Sequence, residues 1–169
     1  MKKIAAAALL FLLTASLWGC HFSGGTIGDS VSFYYQRVDF TYGDADGIIA
    51  PEKREVSGHR ENLSYLLTLY LRGPQDAALC PPFPAGTTLW DIRTEDQTLV
   101  ITLSAPFAQL ENIDLTIACT CLARTCFDLT DAQTVLIEAA AEESDTVSVS
   151  IDRDSYLLID SIPETTPTE

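Results

Sequence analysis

Residues Val31 to Tyr42 are rich in β-branched and aromatic side chains, and predict a first strand with Phe33, Tyr35, Val38 and Phe40 turned inward. Gly43-Asp44-Ala45-Asp46-Gly47 is a turn cluster. Gly47 to Val56 predicts a returning partner strand, and Pro51 places it at a sheet edge, because proline cannot donate to a ladder. The period then changes. Leu63, Leu66, Leu67, Tyr70 and Leu71 recur at helical spacing, predicting a helix that begins in Ser57-Gly58-His59-Arg60-Glu61 and ends at Gly73-Pro74.

A loop follows through Cys80-Pro81-Pro82-Phe83-Pro84-Ala85-Gly86. Thr87 to Arg93 predicts a strand with Leu89 and Ile92 in the core. Glu95-Asp96-Gln97 is a tight connection to Leu99, Ile101 and Leu103, which share one side of the next strand. Ser104-Ala105-Pro106-Phe107 breaks that strand, and Phe107 is expected beneath a second helix from Glu111 to about Phe127. Ile113, Ile117, Cys121 and Leu122 mark the inward face of this helix. Thr134 to Ala139 is the next strand. Val147, Val149 and Ile151, then Tyr156 to Ile159, form two runs expected to make a terminal hairpin around Asp152-Arg153-Asp154.

Two amphipathic helices, each with one apolar stripe, suit packing on one sheet. The fold class expected is α+β, a mixed sheet of about four to six strands with two helices on one face. The domain organisation expected is a leader over 1–19, a flexible Gly/Ser-rich tether over 20–30, the α+β domain over 31–160 and a disordered tail over 161–169.

The leader states an address. Lys2 and Lys3 precede an unbroken apolar run from Ile4 to Leu13, and Leu17-Trp18-Gly19-Cys20 follows. Charge, run length and a small residue at the cut describe a secretory signal. A Cys directly after that small residue looks like a bacterial lipoprotein signal, cleaved between Gly19 and Cys20, with a lipid on the Cys20 sulfur. An ordinary cleaved signal and an uncleaved membrane helix are the alternatives, though the run falls short of the roughly 20 apolar residues of a comfortable span. Two or three acyl chains would hold the chain at the membrane where one would not.

Charge narrows the partners. The chain has 10 Lys+Arg against 24 Asp+Glu, a net charge of −14, and two of those basic residues lie in the leader. So acidic a surface repels nucleic acid and anionic headgroups. A nucleic-acid partner is therefore excluded.

Candidate chemistry is sparse. Cys80, Cys119, Cys121 and Cys126 follow Cys20. On a helix, residues seven apart are separated by about 10 Å along the axis, too far for a disulfide. Residues two apart point to different sides. A bridge from Cys80 to the helix stays open, as do free thiols. Cys119, Cys121 and Cys126 read first as small core residues. The alternative is a thiol-dependent or metal-binding protein in which they meet Cys80. Cys80, in a Pro-rich loop, is expected to be the most exposed thiol.

His59 at a helix start has the position of an ordinary surface histidine. Asp44/Asp46 and Asp152/Asp154 have D-x-D spacing without the further ligands of a calcium loop. Neither a nucleophile elbow nor a Gly-rich phosphate loop is present. No catalytic residue, cofactor site or metal site is expected, and Cys20 is the one site residue.

Four short words, in order, carry a resemblance. They are Leu66-Leu67-Thr68-Leu69-Tyr70-Leu71-Arg72-Gly73-Pro74, Pro84-Ala85-Gly86-Thr87-Thr88-Leu89, Val100-Ile101-Thr102-Leu103-Ser104-Ala105-Pro106-Phe107 and Ala132-Gln133-Thr134-Val135-Leu136-Ile137. With their spacing, residues 33–140 resemble the GerMN domain of sporulation and spore-germination lipoproteins. The resemblance implies a small α+β domain on the extracytoplasmic face of the cell membrane of a spore-forming Gram-positive bacterium. It implies a non-enzymatic role in sporulation, germination or envelope assembly, through an envelope or sporulation protein or through peptidoglycan. The family offers no catalytic residues to carry over. Tyr34 and Tyr42 are candidates to receive a partner on the outer face of the first strand.

Overall fold

A computed structural model describes residues 29–41, 47–139 and 147–155. The elements in chain order are β1 (Ser30–Arg37), β2 (Ile49–Glu55), α1 (Leu63–Leu71), β3 (Leu79–Cys80), β4 (Leu89–Glu95), β5 (Thr98–Leu103), a short 3-10 turn (Ala105–Gln109), α2 (Asn112–Leu129), β6 (Thr134–Ala139) and β7 (Val147–Asp152). The class is α+β, as expected. Its strands are shared between two sheets, an antiparallel one in the order β2-β1-β3 and a mixed one in the order β4-β5-β6-β7. In the mixed sheet only β5 and β6 run parallel, joined through the 3-10 turn and α2.

The inner face of the mixed sheet follows from alternation, with Val100 of β5 buried on the other side as well. Leu99, Ile101 and Leu103 of β5 and Val135, Ile137 and Ala139 of β6 are all buried in one cluster with Leu66, Leu67 and Tyr70 of α1 and Leu122 and Cys126 of α2. Leu89 and Ile92 are three apart yet both pack against this core. A bulge permits it. Leu89 faces Leu103 while Asp91 faces Thr102, so Trp90 is an extra residue on β4 and the alternation restarts beyond it.

Tyr70 joins the two halves. Its ring stacks on Tyr35 at 4.9 Å and meets Phe33 and Phe83 edge-on at 5.7 Å and 6.1 Å. Phe83 in turn meets Phe107 at 6.1 Å. Each buried aromatic contact of this kind adds about 0.5–1.5 kcal/mol beyond its area. The Tyr35 hydroxyl donates to the Tyr70 carbonyl at 2.9 Å, so the polar tip of a fully buried ring has a partner.

Several expectations change. The first strand ends at Arg37 rather than Tyr42, leaving Val38 exposed and Phe40 half-buried. Ser57 to Glu61 forms turns, with Gly58 at φ +77°, and the helix begins only at Leu63. Asn62 is its cap: the side-chain oxygen accepts the Tyr65 N–H at 3.0 Å. The two-residue strand β3 lies within the region read as loop, paired with Gln36 and Arg37. Ile113, expected inward, is 51% exposed in the first turn of α2.

Pro51 does lie on an edge strand, opposite Tyr34. Gly73 does close α1, at φ +91°. A Cβ there would meet only ordinary contacts with Pro81, so glycine is required by the backbone conformation and not by space.

Arg54 is a feature the alternation of β2 did not reveal. It is buried on the inner face, opposite Val31, and pairs with Glu52 on the same strand. Its guanidinium donates to the Gly73 carbonyl at 2.9 Å and lies 5.6 Å from the Phe33 ring centroid. Glu52 accepts the N–H groups of Gln75 and Asp76, each at 2.7 Å. The pair thus clasps the turn that leaves α1, and sets where the chain goes after Gly73-Pro74.

Candidate interaction surface

The thiols come first, because the sequence offered them as an alternative chemistry. Cys119, Cys121 and Cys126 are buried on α2, Cys80 is half-buried on β3, and all four are free. Burial pushes the Cys119 thiol up to about 12 and raises Cys121 and Cys126 further. Cys80 is raised as well, again by burial, and its sulfur lies 3.6 Å from the Gln36 carbonyl oxygen. A raised thiol keeps its proton and is a poor nucleophile and a poor ligand. Cys80 is the most exposed of these four thiols, as expected, but it lies on a strand and not in a loop, because β3 pairs with β1.

A metal reading needs at least three ligands around one point. Among the described residues, no three His, Cys, Asp or Glu side chains are grouped to hold a metal ion. Asp152 instead accepts the Thr134 hydroxyl at 2.8 Å, and Asp154 is exposed in the following turn. His59 is on the surface, its ring stacked on Tyr65 at 4.2 Å. Cys20, Tyr42, Asp44 and Asp46 lie outside the described residues.

Tyr34 does not offer the open face expected of it. Its ring is half-buried beside α2, with the Arg124 guanidinium 4.6 Å from the ring centroid and its hydroxyl donating to Asp128 at 2.8 Å. Ile49, Ile117 and Cys121 form a small second core next to it. Helix α2 therefore occupies the surface that the sequence suggested for a partner.

Exposed apolar area lies elsewhere. Among the described residues, Val38, Tyr65, Trp90 and Ile113 are the large apolar side chains left in solvent, and Trp90 is the most exposed at 61%. Trp90 is displayed by the bulge on β4, an edge strand of the mixed sheet. Around it the edge is charged. Arg93 meets Asp91 at 3.6 Å, Glu95 at 2.8 Å and Glu138 at 3.3 Å. Three carboxylates around one guanidinium leave the patch net negative. Exposed pairs of this kind add little stability, and charges with a bulge discourage unspecific pairing along an edge. A single exposed tryptophan in an acidic setting is suited to a partner with an apolar slot and basic flanks.

The start of β1 is tied to the turn that precedes α1. β1 starts at Ser30, whose carbonyl accepts from Arg60 at 2.8 Å. No helix among the described residues is long and apolar enough to cross a membrane.

No protein-family model matches the chain, and no curated protein matches it. A solved structure described as "Putative Lipoprotein from Clostridium perfringens" is similar to it at 20% identity, covering 74% of this chain and 87% of that one, with a TM-score of 0.41. So distant a likeness does not assign this chain an activity.

Proposed function

We propose that this protein is a lipid-anchored, non-enzymatic module of the bacterial cell envelope. In this reading it acts in sporulation, germination or envelope assembly by holding another envelope protein at the membrane. The observation that carries the reading is the contrast between sealed thiols and a displayed Trp90. The thiols of Cys119, Cys121 and Cys126 are buried and raised by that burial, while Trp90 is exposed on an acidic strand edge. The resemblance of residues 33–140 to GerMN domains supplies the biological setting.

The anchor would be Cys20. The segment from Cys20 to Asp29 can extend at most roughly 35 Å, so the domain would be held close to the bilayer and would meet partners there. Lipidation is tested by expressing the full chain and Cys20→Ala in a bacterium with the lipoprotein pathway. The reading expects the first in the membrane fraction, with a diacylglycerol adduct on the peptide that begins at Cys20. It expects Cys20→Ala to lose the adduct and to leave the membrane or retain an uncut leader. An unmodified Cys20 in a membrane-free chain would overturn the anchor.

A further inference from the structure

Val38, Trp90 and Ile113 sit on different elements, yet the topology brings them to one end of the domain. β1 runs from Ser30 to Arg37, and Val38 follows its last residue. Helix α2 runs antiparallel to β1. Ile117 and Cys121 pack with Ile49, which faces Gln36 near the end of β1, while Asp128 shares a polar cleft with Ser30 and Ser32 at its start. Ile113, one turn before Ile117, is therefore at the Val38 end. In the mixed sheet, Trp90 lies between Leu89, which faces Leu103, and Asp91. Leu103 ends β5, and the 3-10 turn leads from there to the start of α2, so Trp90 is at this end too.

The chain enters at the opposite end. The Asp29 carbonyl accepts the Val56 N–H at 2.7 Å, and the Ser30 carbonyl accepts from Arg60 at 2.8 Å. Tyr65 is the fourth large apolar side chain exposed among the described residues. It belongs to this entry end, because it stacks on His59, the neighbour of Arg60.

The three residues of the far end share a pattern that Tyr65 lacks. Each is followed directly by an exposed aspartate: Val38-Asp39, Trp90-Asp91 and Ile113-Asp114. Glu111 is exposed beside Ile113, and Arg37, half-buried, precedes Val38. Asp91 is 3.6 Å from Arg93, which Glu95 and Glu138 share. Three elements thus each offer an apolar contact with a carboxylate at its side. That suits a surface on which apolar and basic side chains are interleaved.

We propose that this end is a docking face for a basic segment, studded with apolar side chains, of an extracytoplasmic protein, and that a chain held at a bilayer through Cys20 carries this face away from the lipid. The proposal rests on the envelope reading above, and names the chemistry of the partner and the side from which it comes. β1 and α2 each span roughly 25 Å. The links from Cys20 to Asp29 reach at most roughly 35 Å. Turning the docking end to the lipid would use most of that reach and press its aspartates on anionic headgroups. The entry end meets the lipid without either cost.

Removal of the leader takes away Trp18 and leaves Trp90 as the single tryptophan. Residues 20–169 in a Cys80→Ser background are coupled through Cys20 to a maleimide lipid, in vesicles of phosphatidylcholine and phosphatidylglycerol with a dansyl acceptor on the headgroups. Energy transfer from Trp90 should be at most about half of that from a chain with Trp90→Phe and Tyr65→Trp, given the length of the domain. Equal or greater transfer from Trp90 overturns the placement. Coupling makes this arm independent of natural lipidation, so an unmodified Cys20 in cells counts against the anchor and not against the docking face. Docking is read by calorimetry on the unanchored chain, with a peptide of alternating Lys and Leu and an oligolysine of equal length. Val38→Ser, Trp90→Ser and Ile113→Ser should each weaken the Lys–Leu peptide about tenfold, and Tyr65→Ser should leave it unchanged. Oligolysine bound as tightly, or equal affinity in all variants, overturns the docking face.

Discussion

The hydroxyl oxygen of Thr125 accepts the main-chain N–H of Tyr34 at 3.0 Å, across 91 positions of sequence. The bond stands on the edge of β1 away from β2, where β3 pairs only with Gln36 and Arg37. The Tyr34 carbonyl on the same edge accepts the Tyr70 hydroxyl at 3.1 Å. Two helices thus satisfy with side chains what a longer β3 would have satisfied with backbone, and they lock α2 against the first sheet.

Thr125→Val keeps the shape and removes the acceptor. A buried N–H left without a partner costs about 1–3 kcal/mol. Urea unfolding should show a loss of that order for valine, with Thr125→Ser close to the parent. A valine variant of unchanged stability would mean that Tyr34 finds another acceptor.

Much of the fold was legible because alternation is strict where one face is buried. Val135, Ile137 and Ala139 of β6 are such a case, while in β5 Val100 is buried beside Leu99, Ile101 and Leu103. The helix start was not legible from Ser57-Gly58, because two helix-start signals compete within six residues and Asn62 is the one whose side chain reaches the Tyr65 N–H. Ile113 fits a helical stripe, but the stripe does not say where the described sheet ends. Arg54 was hidden for a plainer reason: a charge in a strand reads as outward unless its partners are known, and those partners are Glu52 and a carbonyl 19 residues away. For the surface, residue type alone could not separate Tyr34 from Trp90. The difference is made by α2 covering one and a bulge displaying the other.

Arg54→Met should be among the most damaging single changes. It leaves Glu52 and the Gly73 carbonyl without their cation in a buried site. Breaking a buried pair by removing one partner costs about 3–5 kcal/mol. The check is the denaturant midpoint, together with amide exchange at Gln75 and Asp76, which should quicken as the clasp opens.

Arg153 plays a similar part at the end of α2. Its guanidinium donates to the carbonyls of Thr130 and Ala132, each at 2.8 Å, and of Phe127 at 3.2 Å, and it covers the Phe127 ring at 4.8 Å. A cation at a helix C-terminus also meets the favourable end of the helix dipole. Arg153→Ala should lose about 1.5–3 kcal/mol. Arg153→Lys should recover only part of this, because one ammonium cannot span three carbonyls.

Alkaline pH should weaken the fold through the buried thiols. Cys119 has its pKa raised from 9.0 to about 12 on folding, and Cys121 and Cys126 are raised as well. Between the unfolded and folded values the folded chain binds more protons. Stability is therefore complete below about pH 9 and falls as pH rises toward 12, by about 1.4 kcal/mol per pH unit for each thiol. Urea midpoints at successive pH values check the slope, and alkylation at pH 8 should modify these three thiols only after unfolding. A midpoint that rises with pH in this range would contradict the burial.

The most direct test of the proposed envelope interaction module is crosslinking of the full chain in membranes of its host, beside Cys20→Ala and Trp90→Ala. The account predicts a defined extracytoplasmic protein, with basic residues at the crosslinked segment, captured by the parent chain. That protein should be lost with Cys20→Ala and reduced with Trp90→Ala at equal abundance. Capture of the same protein by all three chains, or of none by a well-expressed parent, would contradict the account.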